Sequence, residues 1–316
     1  MSARSTAGSF QAEGRLAITL DASWRRFRNG WGIFSRNPLA VFGLVLLFLF
    51  FLMAVAHPIL RETIWKDQMY DPQVGYDLDL FPHPTPPGPN HILGTDALGR
   101  DVASLMLAST TPTFIMAIIA ALTTATIGTL IGAFSAYFRG PVDRVFTAIA
   151  DAALLAPPPL VMIVLGILVD IGPVRFGLIY GLLSGFSGAA IVMRTFALTL
   201  ITKPFIEASR IAGGGPFHII FRHLVPHMLP LAAMYMMMSV VGAIFADGFT
   251  AFMGLSEIRL NWGSLIYSSF VGQSINSQIT WNILVPSALA ISLFAASFYF
   301  IARGLHQVAE PRLRER

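Results

Sequence analysis

Residues 41–56 read VFGLVLLFLFFLMAVA, and no charge interrupts the chain between Arg36 and Arg61. A helix needs about 20 apolar residues to cross roughly 30 Å of hydrocarbon, and this stretch supplies them. It is about twice the length of a signal-peptide core and starts near residue 38, so it reads as a retained span. The rest of the chain repeats the pattern. Of 316 residues, 55% are hydrophobic and 12% charged, with a mean hydropathy of +0.67. A soluble domain carries about 25% charged residues, so a single soluble core of this size is excluded as the first reading. There is no cysteine, which removes disulfide frameworks, thiolate metal sites and cysteine nucleophiles.

Five further runs follow. They extend from Asp101 to Arg139, from about Val145 to Val169, from about Phe176 to Leu200, from about Leu229 to Ala246 and from Ile283 to Ala302. The second of these, the third span overall, is interrupted by Asp151 and Pro157-Pro158-Pro159. The fold class is therefore all-α, a polytopic membrane protein with six transmembrane helices. The Pro-rich run near 81–89 cannot lie in lipid as open backbone and is a solvated loop.

Lysine and arginine set the orientation. With six spans the termini share a side, and that side collects sixteen of the 21 basic residues. The other side keeps Arg61, Lys66, Arg100, Arg175 and Arg259 together with ten of the 17 acids. Both termini are expected in the cytoplasm, with an external loop at about 61–101 and a cytoplasmic loop at about 203–230. Residues 1–36 form a cytoplasmic segment ahead of a membrane domain over 37–316. Within it, Trp24-Arg25-Arg26-Phe27-Arg28, Trp31, Phe34 and Arg36 suit either an interfacial helix on anionic headgroups or an ordinary basic flank with belt aromatics.

Several chemistries lack their residues. Neither lysine, Lys66 or Lys203, completes a phosphate-binding P-loop, and no Gly-x-Ser-x-Gly or His-Glu-x-x-His occurs. His223 and His227 stand at metal-ligand spacing, but Pro226 lies between them and no Glu accompanies them, so a polar loop rich in His is the better reading and no metal is expected. Asp151 and Asp247 are the candidate intramembrane charges; no chain of buried acids suggests a proton relay. Gly128 with Gly132, and Gly177, Gly181 and Gly185, are small-residue series that let helices approach closely. Met234, Met236, Met237 and Met238 are either packing or lipid contacts, or, at Met234, Met237 and Met238, a deformable lining of a path for varied substrates.

The segment between the fourth and fifth runs reads KPFIEASRIAGGGPFHIIFRHLVPHMLP, residues 203–230. Pro204 suits a first helical turn and Glu207 sits early, as the helix dipole favours. Gly213-Gly214-Gly215-Pro216 forces a turn, and a second amphipathic stretch, Phe217 to Leu224, precedes Pro226. The pattern is helix, sharp turn, helix at the membrane surface, facing a partner.

Here the chain resembles a known family. Glu207-Ala208-Ser209-x-x-x-Gly213, followed by Ile219 to Pro226 with Arg222 and His223, resembles the EAA loop of ABC importer permeases, in the form of the second permease subunit of oligopeptide/dipeptide importers. Gly94-Thr95-Asp96-x-x-Gly99-Arg100-Asp101 resembles that family's signature before the second span. Gly140-Pro141-Val142-Asp143-Arg144 with Asp151 and Pro157, then Phe252-Met253-Gly254-Leu255, Trp262-Gly263 and Pro311-Arg312-Leu313-Arg314, extend the match from about Asn37 to Arg314. The triple glycine with Pro216, Ser256 to Asn261, and Ala302-Arg303-Gly304 depart from the usual pattern.

The resemblance implies a type I importer permease architecture in the bacterial cytoplasmic (inner) membrane. It implies a homologous permease partner, two ABC ATPase subunits that bind ATP and Mg, and an extracytoplasmic substrate-binding protein. The chain would then be no enzyme, would bind no cofactor and no nucleic acid, and would move di- and oligopeptides, with nickel complexes or oligosaccharides as the alternative cargo. An autonomous secondary transporter or channel would need an internal repeat and intramembrane ion ligands, and neither is evident.

Overall fold

A computed structural model describes residues 28, 30–65, 68–77, 83–169, 171–253, 260–276 and 281–309. The expected interfacial stretch at Trp24–Phe27, the Gly254–Leu255 part of the C-terminal motif, the Ser256–Arg259 departure and the Pro311–Arg314 tail lie outside the described residues.

The helices are α1 Pro38–Thr63, α2 Val102–Phe138, α3 Gly140–Leu155, α4 Pro158–Leu168, α5 Pro173–Ser184, α6 Ala190–Ile201, α7 Pro204–Ile211, α8 Pro216–Ile219, α9 Val225–Phe252, α10 Trp262–Asn276 and α11 Trp281–Ala309. π-turns at Gly185–Ala189 and Ile220–Leu224 join α5 to α6 and α8 to α9. Among the described residues, five helical stretches are long and apolar enough to span a membrane; they become six when the pair α3–α4, bent by 78°, counts as one. The expected six spans stand on that count.

Local sequence chemistry sets the helix starts. Asn37 caps α1, its side chain accepting the Leu39 and Ala40 N–H groups at 2.9 and 3.2 Å, while Pro38 fills a position whose N–H would have no partner. Asp101 caps α2 through the Ser104 N–H at 2.7 Å. Asn37 also donates to Gln307 at 2.7 Å, which ties the start of α1 to the last turns of α11 and puts both termini of the bundle at one end, called here the near end.

The long, thoroughly buried α2 is the axis of the bundle, and α5–α6 runs parallel beside it. The glycine series interlock there. A Cβ on Gly177 would meet Met116 O at 2.5 Å, one on Gly181 Thr123 Cβ at 2.6 Å, one on Gly128 Ala189 Cβ at 2.9 Å and one on Gly132 Met193 Cβ at 2.5 Å. The small residues are packing devices, as their spacing suggests. Lipid offers no hydrophobic drive for helix association, so this closeness of contact is what holds spans two and four together.

Two apolar cores result among the described residues. In the far half, Phe50, Trp262 and Phe294 meet as an aromatic knot with centroids 5.1–5.5 Å apart, joining α1, α10 and α11. In the near half, Ala133, Ala136, Met193, Ala197, Ile206, Ile219, Ile220, Leu224 and Met228 form a separate core.

The structure corrects three expectations. The fifth span does not begin near Leu229 behind a separate amphipathic stretch that stops before Pro226. The chain is helical nearly without break from Pro216 to Phe252, because the π-turn Ile220–Leu224 already interrupts the regular ladder just ahead of Pro226 and lets the helix run on past the proline. For the same reason His223 and His227 stand on a helix rather than in a polar loop, His227 Nδ1 donating to His223 O at 2.6 Å. And α10, which the hydropathy pattern did not reveal, packs between α9 and α11.

Candidate functional site

The loop after α6 is mounted, not free. α7 begins with Pro204, carries Glu207 in its first turn and Arg210 in its last. It ends where Gly213 takes φ +84, a conformation that favours glycine. Gly213 N–H donates to Arg210 O and Gly214 N–H to Ser209 O at 3.0 and 2.9 Å. Ile206 from α7, Ile219 from α8 and Ile220 from the π-turn are fully buried against α2 and α6. Ring contacts add support: Phe217 and Phe221 set edges on Phe134, Phe205 stacks on His227, and the Arg210 guanidinium lies 5.5 Å from the Tyr137 ring centre.

The opposite side of the loop is bare. Phe205, Glu207, Ala208, Ile211, Gly213, Phe217, Phe221, Arg222 and Pro226 are exposed, Ile211 to 83%; Ser209 and His223 are half-buried. Among the described residues neither Glu207 nor Arg222 has an ion-pair partner. The loop is thus a fixed platform that presents large apolar side chains beside opposite charges.

At the far end, the described residues of the stretch 61–101 fold into a polar knot. His91, 1% exposed, places Nδ1 2.8 Å from Asp101 Oδ1 and Nε2 3.1 Å from Asp77 Oδ2. Asp96 accepts the Leu98 and Arg100 N–H groups at 2.9 and 2.7 Å and pairs with the Arg100 side chain. Thr95 joins His83 and Thr85 at 2.9 Å, and Asn282 of α11 donates to Leu93 O and Thr95 O at 3.1 and 2.9 Å. Gly94 and Gly99 have φ +77 and +81, and a Cβ on Gly94 would meet Thr85 O at 2.3 Å. All six signature residues thus build one turn whose work is to tie the loop to α2 and α11. At Asp71, partial burial pulls the carboxyl upward, but the Gln73 and Val74 amides and Arg61 outweigh it and hold it below the usual 3.8.

The methionines divide. Met234 and Met238 are exposed on one face of α9 with Val241 and Phe245, which leads into an apolar pocket of about 400 Å³ lined by Phe249, Tyr267 and Ile291. Met237 instead packs against the far core, so it does not belong to that face. The pocket's α10 wall was not foreseen: a 15-residue helix rich in Gly and Ser carries little hydropathy signal. Among the described residues no group of acids and histidines is placed to hold a metal ion.

Residues 128–315 match the family described as binding-protein-dependent transport system inner membrane component. The chain belongs to that family. Among its relatives, this permease is 30% identical over 303 residues to the dipeptide transport system permease protein DppC of Bacillus subtilis (strain 168), covering 95% of the chain and 87% of the relative. It is 28% identical over 281 residues to a protein of Brucella suis biovar 1 named as a peptide permease, covering 88% and 89%. A second Brucella suis protein, named as a peptide transport system permease, is 28% identical over 232 residues, 72% of this chain and 76% of that one. The permease is thus a multi-pass membrane subunit of an ABC importer, all-α throughout its described residues.

Proposed function

We propose that this permease forms one half of the translocation path of a di- and oligopeptide importer and is driven through the loop at 203–230. The observation that carries the reading is the loop's division into a buried mount and a bare apolar and charged face. A homologous permease supplies the other half of the path. Two ATPase subunits, which bind ATP and Mg, dock at the near end, one of them on this loop, and a substrate-binding protein delivers cargo at the polar knot. The near end with both termini is cytoplasmic, in the inner membrane, as the basic residues argue. The chain itself performs no covalent chemistry. ATP-driven closure of the ATPases moves the loop, the near core carries that motion into α6 and α9, and the path opens alternately to each side.

The names of the relatives support peptides over nickel complexes and oligosaccharides. The apolar, methionine-bearing face of α9 with its pocket agrees, since it can repack around varied side chains. Glu207 and Arg222 need no burial within this chain, so their truncation should cost its own fold within about 0.5 kcal/mol while a desolvated contact at the ATPase loses about 2–5 kcal/mol. The test is the complete importer in proteoliposomes, with labelled dipeptides, a nickel chelate and a maltooligosaccharide offered in parallel. ATP-dependent uptake of the dipeptides is expected. Uptake of either other cargo without the peptides would overturn the substrate, and ATP hydrolysis by the chain alone would overturn the division of labour.

A further inference from the structure

α3 carries Asp143, Thr147 and Asp151 at i, i+4 and i+8, so the three share a face and climb about 12 Å along the helix. Arg194 of α6 stands at the foot of this row. Its Nη2 donates to Asp143 Oδ2 at 2.6 Å, its Nε donates to Oδ1, and Ser135 of α2 donates to the same carboxylate. Two turns further, Asp151 lines the same narrow cleft as Arg194, Ser135 and Thr147, a space of about 60 Å³. Asp151 is exposed and has no ion-pair or hydrogen-bond partner among the described residues. One guanidinium therefore faces a row with two carboxylates and occupies the first.

The helix that carries Arg194 lies between an irregular turn and the loop at 203–230. Directly before α6 the π-turn Gly185–Ala189 breaks the regular ladder, with Ser187 at φ −86 and ψ −120. Directly after α6 come Lys203 and the loop at 203–230. Between these ends, Gly132 lets α6 rest against α2 at Met193 and Arg194, where a Cβ would meet Arg194 N at 2.7 Å. Irregular turn, crossing point and loop lie in that order along α6.

We propose that Arg194 is a two-position latch, held by Asp143 in this conformation and passed to Asp151 when the loop at 203–230 is displaced. The inference rests on the coupling role given to that loop. A one-turn displacement of one packed helix past another is a known form of switching; Thr147 offers a hydroxyl midway, and a flexible arginine side chain spans the remainder. Either position leaves the arginine paired with a carboxylate, and Ser135 still donates to Asp143 when the arginine leaves, so the exchange keeps one ion pair in both states and a push on the loop selects between them. Asp143, Asp151 and Arg194 act on transport by positioning α6.

The test uses the assembled importer. Asp151→Asn leaves the observed pair intact; subunit level and ATPase retention are expected at wild type, with ATP-driven uptake lower by about tenfold or more, within the usual range of coupling energies. The exchange Asp143→Arg with Arg194→Asp rebuilds a static pair but puts the arginine on the same helix as Asp151, where it cannot pass between two carboxylates. It should restore the level lost in Arg194→Asp and should not restore uptake. Wild-type uptake by Asp151→Asn or by the exchange would make the pair a fixed brace and overturn the latch, and loss of the second permease from the Asp151→Asn complex would make Asp151 an interface residue and overturn it equally. Should the exchange fail to fold, cysteines at Thr147 and Ile191, which line the cleft, give a second reading: disulfide yield should change on nucleotide trapping, and an unchanged yield overturns the proposal. Failure of the coupling reading looks different, because loop variants would then keep both ATPases and full uptake.

Discussion

Asp101 grips His91 with one carboxylate oxygen and the first turn of α2 with the other, at 2.8 Å to His91 Nδ1 and 2.7 Å to the Ser104 amide. The residue is both a helix cap and a buried member of the far-end knot. Asp101→Ala should therefore lower stability by about 3 kcal/mol, since it takes the partner from the buried Nδ1 of His91 and removes a cap. Asp101→Asn keeps an acceptor for Ser104 and should cost less. Thermal unfolding of the purified importer checks the order; equal melting of the two variants would refute the dual role.

Gly132 and Gly188 make an internal comparison. A Cβ on Gly132 strikes Met193 Cβ at 2.5 Å, whereas one on Gly188 meets nothing within 4 Å. Gly132→Ala should force α2 and α6 apart at a cost of about 1–3 kcal/mol, and Gly188→Ala should be close to neutral. The readout is the melting temperature of each variant, and a Gly188→Ala loss as large as that of Gly132→Ala would contradict the packing account.

On the loop, mount and face should fail differently. Ile206→Asp puts a charge into the near core and should lower the level of the subunit itself. Glu207→Ala and Arg222→Ala should leave the level near normal while weakening ATPase retention and uptake. Gly213→Val strains a left-handed position by about 1–3 kcal/mol and should also impair retention, by misplacing α7 against α8. Co-purification of the ATPases with each variant separates these outcomes, and normal retention in all of the face variants would show that the ATPases sit elsewhere.

The chain has no cysteine, so orientation can be read with introduced ones. Ile92 is 73% exposed in the far-end loop, and Gly214 lies at the turn of the near-end loop. An impermeant thiol reagent added to intact cells should label Ile92→Cys and spare Gly214→Cys until the membrane is opened. The reverse pattern would invert the topology.

The spans were legible because their runs are long and uncharged, and the charge row on α3 was partly legible because Asp151 stands out in an apolar stretch. What Arg194 does was not: in sequence it is one basic residue near the end of a span, and its partner lies 51 residues away. Pro226 misled because a proline read locally is a break, while the π-turn ahead of it lets the helix run on past it. α10 escaped because hydropathy scales weigh Gly and Ser lightly, and its burial comes from Trp262 against Phe50 and Phe294 rather than from its own composition. Met237 and Met238 are neighbours in sequence, and only packing tells which of them turns inward.

The π-turn at Gly185–Ala189 fixes a phase. Each residue of an α-helix advances the chain by 1.5 Å and about 100°, so the extra residue absorbed there sets the azimuth at which everything beyond it points. Deleting Ser187 would let the segment relax into a uniform spiral. Arg194 would then swing away from Asp143, and the loop at 203–230 would leave the helix on a different bearing. Substitutions in this stretch change a side chain; a change of length by one re-aims half a span together with the platform it carries. Among related permeases, insertions and deletions should accordingly gather in the loops and spare these five positions.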